Sequence, residues 1–219
     1  MPHRVYIVDD HPIMRDGVKA ILESADDLIV CGEAIDAHET MDALNSGMEL
    51  DLLLADLSLP GMSGLDLVKH VRALHPDLPI LVISAHPEKV YAARVIRAGA
   101  QGYISKSSSS AEILMSVREV LNGGIALSDS VRDRILESYL DGRPPTSPIE
   151  QLSDREIEVF EHLGQGRSTV ETAEAMCISR KTVESHRASI KKKLNVQTSN
   201  QLVQRAAIWA ATQGGIPTP

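Results

Sequence analysis

Five short apolar runs alternate with stretches of helical periodicity along the first half of the chain. The clearest is Leu52-Leu53-Leu54-Ala55, set between Asp51 and Asp56. An unbroken apolar run bounded by turn residues predicts a strand buried on both faces, as in a parallel sheet. Further strands are predicted over 4–8, 28–34, 79–84 and 102–106. After Pro12, which a first turn accepts, Ile13, Val18, Ile21 and Leu22 recur at helical spacing. Helices are likewise predicted over 36–45, 65–74, 87–98 and 111–122. The serine run Ser107 to Ser110 could be a flexible linker, but its place between a strand and a periodic helix favours a capped loop. Strict alternation implies a parallel sheet with helices on both faces.

The pattern changes after Gly123-Gly124. Val131, Ile135, Leu136 and Tyr139 give a short amphipathic segment, and the run from Asp141 to Pro148 is dense in proline, glycine and serine, marking a domain boundary. Ser153 with Glu156 three residues on is a capping-box signature, followed by Ile157, Val159, Phe160 and Leu163. Three more helices are predicted over 168–176, 180–194 and 199–211. The tight turn Cys177-Ile178-Ser179 joins two of them on a helix-turn-helix plan. The expected division is a domain over 1–125, a linker with a short amphipathic helix over 126–149, a small all-α domain over 150–213 and a mobile tail over 214–219.

A length of 219 residues suits two ordinary domains. Aromatic residues make up only 3%, so Leu, Ile, Val and Ala must fill the cores. Cys31 and Cys177 lack metal-ligand spacing and are expected as small buried apolar residues, not a disulfide. The first residues lead straight into a strand without a signal-peptide pattern, and no apolar run is long enough to span a bilayer, so a cytoplasmic protein without membrane contact is expected. Charge is uneven. Residues 1–128 hold 10 Lys and Arg against 18 Asp and Glu, whereas Arg180 to Lys193 carries six basic residues and one acid. An acidic first part and a local basic stripe point to different partners for the two domains.

Right-handed crossovers bring the carboxyl ends of parallel strands to one edge, where ligands bind in such sheets. At that edge the alternation places Asp9, Asp10, Asp56, Ser84 and Lys106. Clustered carboxylates repel one another, and a hard cation such as Mg²⁺ relieves that repulsion while taking carboxylate, water and phosphate oxygens as ligands.

The set Asp9-Asp10, Asp56, Ser84, Tyr103 and Lys106 resembles the receiver domain of two-component response regulators. The run from Asp9-Asp10-His11-Pro12 to Gly17 looks like the NarL/FixJ branch. The resemblance covers roughly residues 3–122 and implies a flavodoxin-like (βα)5 fold with strand order 2-1-3-4-5. It further implies that Asp56 takes a phosphoryl group from a sensor histidine kinase as an aspartyl phosphate. Asp10 and Asp56, with the backbone carbonyl of Ser58, would hold Mg²⁺, and Asp9 would act directly or through water. Lys106 would pair with phosphoryl oxygens, Ser84 would hydrogen-bond the phosphoryl group, and Tyr103 would change rotamer in response. Two departures stand out: Ser107 follows Lys106 where many receivers have proline, and Ser84 replaces the common threonine. His86 either flanks the phosphoryl group with Ser58 or is a surface residue opening the next helix.

The segments Leu152-Ser153-Asp154-Arg155-Glu156 and Ser179 to His186 resemble LuxR-type DNA-binding domains, over roughly residues 150–212. In the third helix of this domain Val183, Ile190 and Leu194 fall on an inward face and Lys181, Glu184, Ser185, Ala188 and Lys192 on an outward one. The resemblance implies that Glu184, Ser185 and Ala188 face base edges in paired half-sites of double-stranded DNA, Glu184 standing where lysine is common. Lys181, Thr182, Arg187, Lys191, Lys192 and Lys193 are the phosphate-contact candidates. Leu202, Val203 and Ala206 of the last helix either contact a second copy or pack onto the core. The whole describes a transcriptional regulator whose phosphorylation favours a DNA-competent homodimer and whose receiver catalyses only its own Mg²⁺-dependent phosphorylation and dephosphorylation. The alternative is a phosphorylation-independent regulator using its receiver as a dimerisation scaffold.

Overall fold

A computed structural model describes residues 1–140 and 148–213; the proline-rich part of the expected linker and the expected mobile tail lie outside the described residues. The chain divides into two compact units, Met1–Ile135 and Leu136–Pro219.

The first unit alternates strictly: β1 His3–Val8, α1 Pro12–Glu23, β2 Leu28–Ala34, α2 Ala37–Asn45, β3 Leu52–Ala55, α3 Gly64–Leu74, β4 Ile80–Ser84, α4 Glu88–Ala98, β5 Gly102–Ser105 and α5 Ser110–Leu121. Its five strands are parallel in the order β2-β1-β3-β4-β5. The apolar runs in the middle of the sheet are buried on both faces, and Leu52, Leu53, Leu54 and Ala55 are all inaccessible to solvent. Residues alternating along the strands (Val5, Ile7, Leu52, Leu54, Leu81 and Ile83) pack with Val18, Leu22, Ile113 and Val117 of α1 and α5. Helices α2, α3 and α4 adjoin one another in a second layer, where Leu67, Val68, Val71 and Val95 are fully buried. The serine run is a capped loop: Ser109 and Glu112 form a reciprocal capping box on α5.

The first unit continues past residue 125. Ala126 bridges to Gly102 beside β5, and its carbonyl accepts from the Tyr103 N–H at 2.9 Å. Helix α6 (Asp129–Leu140) starts against this unit, with Val131 buried, Arg132 hydrogen-bonded to the Ile125 carbonyl and the Ser128 N–H on Glu88.

The second unit holds a 3-10 turn Pro148–Gln151 and the helices α7 Asp154–Gly164, α8 Thr169–Ala175, α9 Arg180–Lys193 and α10 Ser199–Gln213. Ser153, Ser168 and Ser179 cap α7, α8 and α9. Its core joins Ile157, Phe160, Leu163, Val183, Ile190, Leu202, Ala206 and Trp209, with the Phe160 and Trp209 ring centroids 5.5 Å apart. Glu156 locks the cap to the neighbouring helix: beyond its capping-box bond to Ser153, it accepts from Ser189 Oγ at 2.5 Å and Lys193 Nζ at 2.7 Å on α9.

Both cysteines are free, but neither is a core residue. Cys31 is half-buried on the edge strand β2. Cys177 is exposed with φ of 52°, because the chain must take a left-handed step between α8 and α9.

Candidate functional site

Strand order builds the acidic edge. β1 and β3 are neighbours, so Asp9, just after β1, lies beside Asp56, just after β3. The Asp56 N–H donates to the Val8 carbonyl at 2.9 Å and continues the sheet pairing to its last position. Likewise the Lys106 N–H donates to the Ser84 carbonyl at 2.9 Å. The Lys106 side chain then crosses the edge: its ammonium stands 2.7 Å from Asp9 Oδ2 and 2.8 Å from Asp56 Oδ2. Asp9 and Asp56 are each about 1% exposed. The Lys106–Ser107 peptide is trans.

The α3 loop is shaped by a close approach. A Cβ on Gly64 would lie 1.9 Å from the Asp56 carbonyl oxygen, so only glycine lets α3 start there. The Gly64 N–H donates to the Leu57 carbonyl at 2.9 Å, and the Leu57 N–H to Asp56 Oδ1 at 2.7 Å. On the other side Arg15 Nη1 donates to the Asp9 carbonyl at 2.7 Å, while Glu33 pairs with both Arg15 and Lys19.

The electrostatics favour added positive charge. Burial raises the pKa of Asp56, and Asp9 adds to this; Lys106 opposes both. Burial pulls Lys106 down, but the Asp56 and Asp9 carboxylates outweigh it and hold the ammonium above its ordinary value. Asp9, Asp10, His11 and Asp56 bring potential ligand atoms within 4.8 Å of one another. Asp9 Oδ2 and Asp10 Oδ1 are shielded from solvent; the Lys106 ammonium stands 2.7 Å from the first and His11 Nδ1 2.6 Å from the second. Three clustered carboxylates, whose charge one ammonium only partly offsets, fit a hard divalent cation such as Mg²⁺. A cavity of about 700 Å³ lined by Arg4, Asp51, His75 and Pro79 opens at the opposite ends of the strands, away from these groups.

Ser84 is fully buried; its Oγ accepts from the His86 N–H at 3.2 Å. Tyr103 lies inside, 2% exposed, and its hydroxyl donates to the His86 carbonyl. The His86 ring reaches Ser58 Oγ at 2.8 Å and lies 4.7 Å from the Tyr91 ring. His86 therefore connects the Asp56 loop, Ser84 and Tyr103, a role its position in the sequence left open.

In the second unit Lys181, Thr182, Glu184, Ser185, Ala188 and Lys192 are exposed on α9, while Lys191 is half-buried. Two basic candidates are already engaged. Lys193 holds Glu156 and the Gln151 carbonyl, and Arg187, its side chain only 14% exposed, donates to Thr169. Leu202 and Ala206 of α10 are spent on the core; Val203 and Ile208 point outward.

The two units define a class: a parallel sheet whose carboxyl edge gathers Asp9, Asp10, Asp56 and Lys106, followed by a helix-turn-helix domain. Residues 5–118 match the response regulator receiver domain, and residues 150–206 match the luxR family of bacterial regulatory proteins. The chain is 30% identical to the response regulator UvrY of Escherichia coli K12 over 202 residues, 92% of each chain. It is 35% identical to the nitrate/nitrite response regulator NarP of the same organism over 199 residues, 90% of this chain and 91% of that one. A structure of Salmonella typhimurium RcsB superposes with a TM-score of 0.71 at 25% identity, covering 94% of this chain and 98% of that one. Another, of RcsB bound to promoter P1flhDC in the presence of phosphomimetic BeF3⁻, gives 0.68 at 26%, covering 95% of this chain and all of that one. The chain belongs to the NarL/FixJ-type two-component response regulators, with a receiver domain and a LuxR-type DNA-binding domain.

Proposed function

We propose that a sensor histidine kinase phosphorylates this regulator on Asp56 and that phosphorylation favours a DNA-competent homodimer. The observation carrying this is the buried Asp56 carboxylate facing Asp9 and Lys106. One carboxylate oxygen of Asp56 bonds to the phosphorus of a kinase phosphohistidine as the P–N bond breaks, leaving an aspartyl phosphate. The Lys106 ammonium moves from carboxylate to phosphoryl oxygen and neutralises charge as it develops. Asp9, Asp10, Asp56 and the Ser58 carbonyl would hold Mg²⁺, which supplies further neutralisation at the phosphoryl oxygens. Ser84 retains a hydroxyl proton to donate to the phosphoryl group. Its movement pulls on His86 and so on the Tyr103 hydroxyl, which couples the site to the β4–β5 surface.

On the DNA side, Glu184, Ser185 and Ala188 face bases, and Lys181, Thr182, Lys191 and Lys192 contact phosphates. Arg187 and Lys193 act mainly as supports from the positions they hold. RcsB bound to promoter DNA in the presence of a phosphomimetic, and RcsB dimers bound to two parallel DNAs, support DNA binding as a dimer by relationship. The test is intact mass after incubation with acetyl phosphate and Mg²⁺. Wild type gains one phosphoryl group and Asp56→Asn gains none; an equal adduct on both places the acceptor elsewhere.

A further inference from the structure

The exposed face of α9 carries an acid where contact with a polyanion would favour a base. Glu184 is 60% exposed, yet its carboxylate is not loose. Oε1 accepts from Thr169 Oγ1 at 2.9 Å, and the same hydroxyl oxygen accepts from Arg187 Nη1 at 2.6 Å. The directions are fixed by chemistry. A guanidinium only donates, so the Thr169 oxygen must accept from Arg187, and its single proton is left for Glu184. The Arg187 guanidinium also stands 3.9 Å from Oε1 and offsets the acid's charge. Thr169 is itself placed by the Ser168 cap at the start of α8. Glu184 Oε2 has no protein partner among the described residues and is the oxygen left to face a groove.

We propose that Thr169, Glu184 and Arg187 form one base-reading unit, in which Thr169 and Arg187 position the Glu184 carboxylate to accept from the amino group of a cytosine in the major groove of each half-site. The proposal rests on the DNA-binding function above. A carboxylate only accepts. Cytosine offers it an amino donor at the groove edge, whereas guanine presents two acceptors and thymine an acceptor and a methyl group. Adenine has an amino donor but flanks it with the N7 acceptor, which repels the acid. Thr169 and Arg187 are thus specificity-positioning residues, set on a different helix and a different turn from the atom that reads the base.

The test is selection of duplexes from a randomised library by the full chain treated with acetyl phosphate and Mg²⁺, followed by competition between duplexes differing at one position. Wild type selects cytosine at one position of each half-site, about five- to tenfold over guanine or thymine. Glu184→Gln moves the preference at that position towards adenine, because an amide both donates and accepts. Thr169→Val flattens it several-fold, and Thr169→Ser, which keeps the hydroxyl, retains it. If Glu184→Gln and Thr169→Val melt lower but select the same bases as wild type, the network is a strut between α8 and α9 and the proposal is overturned. Wild-type binding without cytosine preference at any position overturns it while leaving the proposed function intact. A folded wild type that binds no duplex at low salt overturns both.

Discussion

In the proposed reaction Asp56 meets opposing demands: it is buried, about 1% exposed, yet would act as a nucleophile only when charged. Its pKa is raised by burial and by Asp9, so the ionised form costs folding free energy. For an acid raised on folding, that stability is present at low pH and is lost as pH rises through the window between the unfolded and folded values. Near neutral pH, Asp56→Asn removes the cost, and the first unit is expected to melt a few degrees higher than wild type in metal-free buffer. Adding Mg²⁺ should raise the melting temperature of wild type more than that of the variant; equal shifts would detach the cation from Asp56. Gly64 supports the same residue from the backbone. A methyl group 1.9 Å from the Asp56 carbonyl oxygen forces the loop to move, so Gly64→Ala should cost about 1–3 kcal/mol by urea unfolding and slow phosphoryl uptake. Unchanged stability and rate would mean the loop yields freely. Asp9, Asp10, Asp56, Ser84 and Lys106 are legible in the sequence because each closes an apolar run, and alternation alone sends those ends to one edge. Gly64 and Thr169 are not: their contacts are to residues remote in the chain, which no local pattern encodes; His86 is legible only as one of two alternatives, and the structure sets its ring 2.8 Å from Ser58 Oγ.

At the scale of elements, strands and helices follow their periodicities closely, since buried strands leave unbroken apolar runs and each helix after the linker carries a serine at its start. Three features do not follow from periodicity. The strand-like pairing of Ala126 beside β5 has too little apolar signal to be seen. The exposed Cys177 follows from a left-handed turn, not from its apolar character. The capping box at Ser153 was visible, but not that its Glu156 also anchors α9. Burial alone would raise the Glu156 carboxyl, but Lys193, Ser189 and the Ser153 N–H outweigh it and hold it at about 2. An acid depressed on folding contributes stability above its unfolded pKa and loses it as pH falls through the folded one. The second unit should therefore weaken between about pH 5 and pH 2. Glu156→Gln should cost about 2 kcal/mol at neutral pH and flatten that profile. An unaltered acid profile in Glu156→Gln would assign the loss to other carboxylates. Lys193→Ala should likewise show its effect in stability first and in DNA affinity second.

Across the whole molecule, the surplus of acid lies in the first unit and the basic stripe on α9 in the second, a division that suits the proposed roles of phosphoryl acceptance and DNA contact. Among the described residues no helix is long and apolar enough to cross a membrane. The two units and their classes are legible in sequence because each carries its own complete pattern. The proposed coupling between them is not, because it would be a shift in population between states. That coupling is the central claim, and light scattering on the full chain tests it most directly. Wild type and Asp56→Asn are compared with and without acetyl phosphate and Mg²⁺. The account predicts that only phosphorylated wild type moves from the 23.8 kDa monomer towards twice that mass. A fully phosphorylated wild type that keeps the same mass as Asp56→Asn would contradict it.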